Sequence, residues 1–353
     1  MGTGASGPAP ASCRSSIWSV TTDALRLGCF IPQGWRAEFP PSLGASERWE
    51  AAVGVARRAE RSGYGAAWVY DHLQAPGSDP PSPVFDPLLL LSTVAWATTE
   101  IRIGTMCLAV PLHHPGRLAQ QLACLDVASA GRLEVGLGAG SDPEEAKAFG
   151  ISVGGLRDRI FACGEAAELL RASWSHQHTS FEGRYTLVED ALIFPKPVQR
   201  PGPPIWIAGG GEKLTLWQVA RHADGCSLFG PPARVAHKLE VLAAHCRAAG
   251  RRPESVRVAV VVDCLVADSE AAADLLVERF NRHREDPASY RARRLVGTPE
   301  SCAQQLQEYV DLGAREICCF FPDAVTSDGP EKLAAAVLGP PPSPPQQLLA
   351  AGR

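Results

Sequence analysis

The sequence predicts a (β/α)8 TIM barrel, and three observations favour that fold class. Eight short apolar stretches alternate with stretches of helical period, which is the element order of repeated βα units. Glycine-rich and polar residues follow several of the apolar stretches, as they do at the ligand-binding face of a barrel. The chain has 353 residues, enough for one such domain. An open doubly wound sheet shows the same alternation and is the alternative on pattern alone.

Each predicted strand is a short apolar run that ends at a glycine, a proline or a polar residue. The strands cover residues 27–31, 66–70, 101–106, 132–137, 205–208, 225–228, 257–264 and 316–320. The predicted helices cover residues 46–61, 87–99, 115–129, 156–172, 214–221, 233–249, 270–283 and 330–338, and a further helix opens at Pro299 with Thr298 as its N-cap. Residues 175–204 contain too many prolines for a central element and predict an inserted hairpin and excursion.

The ends of the chain differ in composition from its centre. Residues 1–24 are rich in Gly, Ala, Ser and Pro and lack the basic start and apolar core of a signal peptide, so we expect a disordered leader. Residues 25–338 form the expected barrel domain. Residues 339–353 are rich in Pro and Gln and predict a disordered tail.

Bulk composition narrows the class of protein. Apolar residues make up 45% and charged residues 20% of the chain, which is ordinary for a globular protein. A net charge of -4 and a pI near 6.2 argue against a nucleic-acid-binding surface. No apolar run approaches the ~20 residues that a membrane span needs. The 11 cysteines show no CxxC or His/Cys metal spacing, so we expect reduced thiols, no metal and a cytoplasmic protein.

Two glycine-rich loops follow predicted strands. The sequence GLGAG at residues 136–140 lies at the end of the fourth strand, and GGG at residues 209–211 follows the fifth. Glycines let a ligand approach the backbone, and free N–H groups at a helix start attract phosphate. A tight connection without a ligand is the alternative for either loop. The two loops together predict a phosphorylated cofactor.

An ordered set of motifs resembles a known family. The set comprises FIPQGWR at residues 30–36, WVYDH at 68–72, GRL at 131–133 with GAG at 138–140, and PIWIAGGGEK at 204–213. In this order they resemble the bacterial luciferase-like flavin/deazaflavin superfamily, and most of all its F420-dependent oxidoreductases of actinobacteria. The resemblance runs over nearly the whole predicted domain and implies a TIM barrel with a cofactor at the C-terminal ends of its strands.

The resemblance also implies the chemistry. We expect an oxidoreductase that transfers a hydride between coenzyme F420 (a deazaflavin) and a small organic substrate. The alternative is an FMN-dependent monooxygenase that receives reduced flavin from a separate reductase. A barrel that only binds the cofactor is a third possibility, and a non-flavin barrel, such as a sugar-phosphate enzyme, is a fourth. The resemblance further implies a homodimer and no partnership with nucleic acid or membrane.

Carried over motif by motif, the resemblance implies three groups of site residues. Asp71 and His72 stand beside the cofactor ring as the catalytic pair. The expected cofactor-binding residues are Met106, Cys107, Gly138, Gly140, Ser141, Ala208, Gly209, Gly210, Gly211 and Lys213. The expected substrate pocket contains Gln33, Trp35, Arg36 and His113. A non-prolyl cis peptide between Met106 and Cys107 is implied as well.

Four of these residues have a purely structural alternative. His72 can serve as an acid or base near neutral pH, or it can be a packed histidine bonded to Asp71 or a carbonyl. His113 can touch a ligand or bond the backbone at a helix entry. Lys213 can meet a phosphate or only solvent. For Cys107 a buried thiol is favoured over a nucleophile, because no base is placed beside it.

The sequence departs from the family pattern in two places. Relatives often carry an aromatic residue after the GAG loop, where this chain has Ser141 and Asp142. The sugar-phosphate dehydrogenase branch carries a tryptophan soon after the Asp-His pair, where this chain has Ala75 and Pro76. We therefore expect a substrate other than a sugar phosphate.

Overall fold

The structure is a computed structural model that describes residues 25–75, 82–281 and 283–340. The expected leader, most of the expected tail and Pro76 lie outside the described residues. In chain order the strands are β1 (Arg26–Phe30), β2 (Ala66–Val69), β3 (Arg102–Thr105), β4 (Leu108–Ala109), β5 (Leu133–Gly138), β6 (Thr179–Glu182), β7 (Leu187–Ala191), β8 (Ile205–Ala208), β9 (Gly225–Phe229), β10 (Arg257–Val266), β11 (Leu295–Gly297) and β12 (Glu316–Phe320).

The helices cover the outside of the strands. In chain order they are α1 (Ala45–Arg61), α2 (Pro87–Ala97), α3 (Pro115–Ala128), α4 (Pro143–Ala148), α5 (Leu156–Ser175), α6 (Thr215–His222), α7 (Pro232–Ala248), α8 (Glu270–Phe280), α9 (Pro287–Arg291), α10 (Pro299–Asp311) and α11 (Gly329–Leu338). Within the described residues, no helix is both long enough and apolar enough to span a membrane.

Eight of the described strands close a parallel barrel, which confirms the predicted fold class. The order around the barrel is β1-β2-β3-β5-β8-β9-β10-β12, and β12 pairs with β1 to close it, with Arg26 opposite Glu316. All these pairings are parallel, so the C-terminal ends of the eight strands meet at one face. The inserted hairpin is also confirmed: β6 and β7 pair antiparallel, apart from the barrel sheet.

Most predicted boundaries agree with the observed ones. Thr298 caps α10 by accepting a hydrogen bond from the Ser301 amide, as predicted. The helix predicted over residues 270–283 ends earlier, at Phe280. The reason is that Asn281 leaves the helical path and its side chain bonds the backbone of Glu285. Four short elements lie outside the predicted ones: β4, α4, α9 and β11, each of six residues or fewer.

Charged side chains fill the barrel interior at the N-terminal ends of the strands. They are Arg26, Arg102, Glu134, Arg257 and Glu316. Glu134 is fully buried, and Arg26 donates to it at 2.6 Å. Burial opposes ionisation of Glu134, but the bond from Arg26 and the nearby arginine charges prevail and lower its pKa to about 2. Burial raises the pKa of Glu316 to about 7 against the attraction of Arg26.

Two tryptophans form the next layer of the interior. Trp68 Nε1 donates to Glu316 at 3.0 Å, and Trp206 Nε1 donates to Glu134 at 2.7 Å. The two rings meet edge to face with centroids 6.0 Å apart. Room for Trp68 comes from Gly104, because a Cβ there would lie 2.3 Å from the indole ring. The tryptophans separate the charged layer from the apolar residues that lie above them.

Candidate active site

A cavity of about 760 Å³ opens at the C-terminal face of the barrel. This volume is in the range of pockets that hold a drug-sized or cofactor-sized ligand. Inward-facing residues of the last barrel layer form its floor: Phe30, Tyr70, Met106, Gly138, Ala208, Val261 and Phe320. The loops that follow the strands form its walls. The cavity therefore lies where barrels of this class bind their ligands.

One side of the cavity is built from three adjacent strands and has small residues. We call it the glycine arc, and it consists of residues 106–107, 138–141 and 208–211, at or just after the ends of β3, β5 and β8; all of them except Gly210 line the cavity. Gly209 adopts a φ of 108°, which favours glycine. A Cβ at Gly138 would lie 2.2 Å from the Cys107 sulfur. The lack of a side chain at these glycines therefore leaves space on this side of the cavity for a flat ligand.

The glycine arc also presents backbone donors. Among the described residues, the amides of Gly140, Ser141, Gly210 and Gly211 donate to no protein acceptor. The last two lie shortly before α6, so they combine free N–H groups with the positive end of a helix. This arrangement fits a phosphate-bearing cofactor, whether flavin or deazaflavin.

The peptide bond between Met106 and Cys107 is cis, as the resemblance implies. Both residues line the cavity. Burial raises the pKa of the Cys107 thiol to about 12, so the thiol stays protonated near neutral pH. This state agrees with the packing alternative for Cys107 rather than with a nucleophile.

The opposite side of the cavity is bulky and largely apolar. We call it the aromatic arc, and it consists of Phe30, Trp35, Arg36, Val261, Asp263 and Phe320, carried by β1, β10 and β12 or the loop after β1. Arg36 lies over the Phe320 ring, 4.0 Å from its centroid. The same guanidinium makes two parallel bonds to Asp263, at 2.8 and 2.9 Å. Burial opposes the charge of Arg36, but bonding to Asp263 prevails and raises its pKa.

His72 lies at the junction of the two arcs, because β2 stands between β1 and β3 in the barrel. Its Nδ1 lies 2.9 Å from Glu145 Oε2. Its ring stacks on Trp35, with centroids 3.6 Å apart and planes 4° from parallel. Glu145 also accepts hydrogen bonds from the amides of Leu73 and Gln74, at 2.6 and 2.9 Å. The histidine is therefore fixed on one nitrogen and on one face, and it lines the cavity.

Glu145 lies on α4, a helix that is not among those predicted from the sequence. Asp142 is the N-cap of this helix and accepts from the amides of Glu144 and Glu145, at 3.0 and 3.2 Å, while Pro143 occupies the first turn. This pattern of N-cap, proline and acidic first turn is a helix-start signal that the sequence contained. The departure at Ser141 and Asp142 therefore builds the helix that supports His72.

Asp71 does not pair with His72. One of its oxygens accepts from the Ala109 amide at 2.9 Å and lies 2.7 Å from His113 Nε2. Asp71 lines the main cavity, whereas His113 lines a smaller cleft beside it. The two adjacent residues of the predicted catalytic pair thus belong to two different His–carboxylate pairs.

Most predicted site residues line the main cavity, and four do not. Gln33 is fully buried, and its amide group bonds both the N–H and the C=O of Tyr70, at 2.7 and 2.9 Å. It therefore ties the loop after β1 to the end of β2. Gly210 and Lys213 are also absent from the lining, and Lys213 is exposed. His113 is the fourth. Among the described residues, no three His, Cys, Asp or Glu side chains are placed to hold a metal ion.

Comparison with known proteins places the chain in a family. The model of the luciferase-like monooxygenase family matches residues 27–316. An F420-dependent hydroxymycolic acid dehydrogenase of Mycobacterium tuberculosis is 32% identical over 228 residues, which cover 64% of this chain and 62% of that protein. Two further curated relatives are matched over 51% and 46% of their own length, so the chain spans about half to six tenths of these relatives.

Solved structures share the fold at low identity. An F420-dependent secondary alcohol dehydrogenase, solved with an F420–acetone adduct, has a TM-score of 0.75 and 19% identity, over 89% of this chain and 99% of that one. The oxygenating constituent of 3,6-diketocamphane monooxygenase from Pseudomonas putida, solved with FMN, has a TM-score of 0.70 and 17% identity, over 90% and 97% of the chains. The chain belongs to the luciferase-like monooxygenase family and has the TIM-barrel fold of its solved neighbours.

Proposed function

We propose that this protein transfers a hydride between coenzyme F420 and a small alcohol or carbonyl compound. The observation that carries the proposal is the position of His72, between the glycine arc and the aromatic arc, with Nδ1 held by Glu145. Interconversion of an alcohol and a ketone moves one hydride and one proton, so it needs a positioned acid or base beside the cofactor. The F420-dependent dehydrogenase at 32% identity supports the same choice of cofactor.

The residues of the glycine arc fit the cofactor. The free amides of Gly140, Ser141, Gly210 and Gly211 would meet its phosphate-bearing tail. The Met106–Cys107 backbone and the low floor at Gly138 would hold its ring. When bound, F420 supplies a two-electron hydride acceptor or donor. Residues of this chain would position the reacting groups and transfer the proton.

The proton would pass through His72. In the direction of alcohol oxidation, His72 Nε2, which has no partner among the described residues, would accept the proton of the substrate hydroxyl, and bound F420 would supply the hydride acceptor. Reduction of a ketone reverses both transfers. Glu145, by accepting from Nδ1–H, holds the neutral ring in the tautomer with Nε2 unprotonated and stabilises the imidazolium that follows. Trp35 holds the ring plane by stacking.

The first test is cofactor binding. Apo-protein is titrated with oxidised F420 and, separately, with FMN at fixed ionic strength, by calorimetry. We expect micromolar affinity for F420 and much weaker binding of FMN. The reverse order would favour an FMN-dependent monooxygenase with a reductase partner, to be followed by oxygen uptake. Binding of neither would refute the cofactor assignment.

The second test removes the proposed acid–base group. With F420 bound and an alcohol substrate in hand, His72→Gln is expected to lower kcat by about 10²–10⁴-fold and to leave F420 affinity nearly unchanged. His178→Asn is the matched control, because His178 pairs with Asp190 at 2.7 Å on the exposed hairpin, away from the cavity. Full turnover in His72→Gln would refute the proposed acid–base role of His72.

We also propose that two copies of the chain associate through α2. This helix has the sequence PLLLLSTVAWA and carries no charge. It leaves Leu89 65% and Trp96 91% exposed. An uncharged apolar face can meet its own copy across a two-fold axis without like-charge repulsion.

A further inference from the structure

The charged side chains at the cavity bear on whether the aromatic arc accepts a charged or a neutral substrate. In the part of the chain that the structure describes, Arg36 is the one lysine or arginine that lines the main cavity. Asp71 and Asp263 line it as well, and Asp71 has His113 as its partner. An anionic substrate would therefore need Arg36 as its counter-ion.

Arg36 is not available for that task. Both of its terminal nitrogens are bonded to the two oxygens of Asp263, at 2.8 and 2.9 Å, and its face is covered by Phe320. Its backbone amide donates to buried Glu38 at 2.8 Å, which places a second carboxylate beside it. Asp263 further lies 3.4 Å from the Arg294 guanidinium. The Asp263 carboxylate thus engages two guanidinium groups: that of Arg36, which lines the cavity, and that of Arg294, which does not line it.

Apart from Arg36, no residue of the aromatic arc carries a positive charge. Phe30, Val261 and Phe320 are apolar and nearly or fully buried. Transfer of a carboxylate or phosphate from water to such a surface is costly unless a cation pairs with it. An anion would also have to displace the Asp263 carboxylate from its two bonds to Arg36. A neutral, largely apolar molecule meets none of these penalties and covers the aromatic surface.

We propose that the substrate is an uncharged, largely apolar alcohol or ketone, and that Asp263 is the specificity-determining residue that excludes anionic analogues by occupying Arg36. The proposal rests on the proposed function for the chemistry at the cofactor. It concerns the binding of substrate, so it can fail while hydride transfer stands.

The test compares a neutral ligand with its anion. Calorimetry on the F420-loaded protein measures Kd for methyl octanoate and for octanoate, in the wild type and in Asp263→Asn. We expect the wild type to bind the ester and to bind octanoate at least about tenfold more weakly. In Asp263→Asn, octanoate affinity should rise at least about tenfold, because a carboxylate can now pair with the freed guanidinium. Added salt should weaken that gain.

Two further variants identify the cause. Asp263→Asn combined with Arg36→Met should lose the gain, because the freed cation is removed. Asp274→Asn should leave both affinities as in the wild type, since Asp274 pairs with Arg291 at 2.5 Å on the exposed side of α8. A wild type that prefers octanoate, or that does not bind the ester, overturns the proposal. So does an Asp263→Asn variant with an unchanged ratio. Failure to bind F420 at all would instead refute the proposed function.

Discussion

Glu145 governs the orientation of His72 although it lies 73 positions further along the chain. Glu145→Gln keeps the size of the side chain and one acceptor oxygen for the amides of Leu73 and Gln74, but it removes the charge. We expect kcat to fall, by less than in His72→Gln, while F420 affinity stays nearly unchanged. The double variant should be no slower than His72→Gln alone, because both residues act through one group. Steady-state kinetics would give kcat for the two single variants and the double variant. If the fold-losses in kcat of the single variants multiply in the double variant, the two residues act independently.

At this scale the sequence predicted a position for His72 at the cavity, where the structure has it, but did not predict the residues around it. His72 was found because it follows a strand within a recognisable motif. Its partner could not be found by proximity, since Asp71 stands next to it in sequence but points to His113. The pair of Arg36 and Asp263 spans 227 positions, and only the closed barrel brings them together. Gln33 is predicted in the pocket because it is polar. A buried side-chain amide can also pair with backbone groups, and Gln33 bonds the backbone N–H and C=O of Tyr70 in this way.

The charged layer below the tryptophans makes the barrel sensitive to pH. The ordinary pKa of Glu316 is 4.5, and burial raises it to about 7 in the folded chain. The unfolded chain therefore ionises this group first, so the contribution of Glu316 to stability is fully present below pH 4.5 and is lost as pH rises towards 7. Between pH 5 and 8, Glu134 stays ionised in both states and adds little slope.

We expect Glu316→Gln to remove most of this pH dependence. The wild type should lose on the order of 1–3 kcal/mol of unfolding free energy between pH 5 and pH 8 through this group. The variant should lose much less over the same range, because its side chain cannot ionise. Urea unfolding at the two pH values measures the difference. Glu240→Gln, at an exposed position on α7, is the control that should follow the wild type.

The long and strongly apolar elements were predictable, and the short ones were not. The barrel strands are largely buried on both faces, so, apart from the charged residues near their N-terminal ends, they read as apolar runs. By contrast, β11 has three residues and only extends the pairing of β10. Helix α9 has five residues and depends on Asp286 as its cap. Such pieces are stabilised by the surrounding structure rather than by their own pattern.

The proposed association of two chains is a property of the whole molecule. Trp96→Lys is expected to shift the protein from dimer to monomer, because a charge would be buried at the centre of an apolar interface. Analytical ultracentrifugation over a range of concentrations would measure the change. Leu275→Lys is a suitable control, since Leu275 is 65% exposed on a different helix, α8. Equal sedimentation of wild type and Trp96→Lys would argue against association through α2.

The two arcs differ in how their residues are distributed along the sequence. The glycine arc comes from one continuous stretch, residues 106–211, whereas the aromatic arc joins β1 with β10 and β12, from opposite ends of the sequence. Under the proposed function, one continuous stretch would therefore form the cofactor side of the cavity, and two separated pieces of the sequence would form its substrate side.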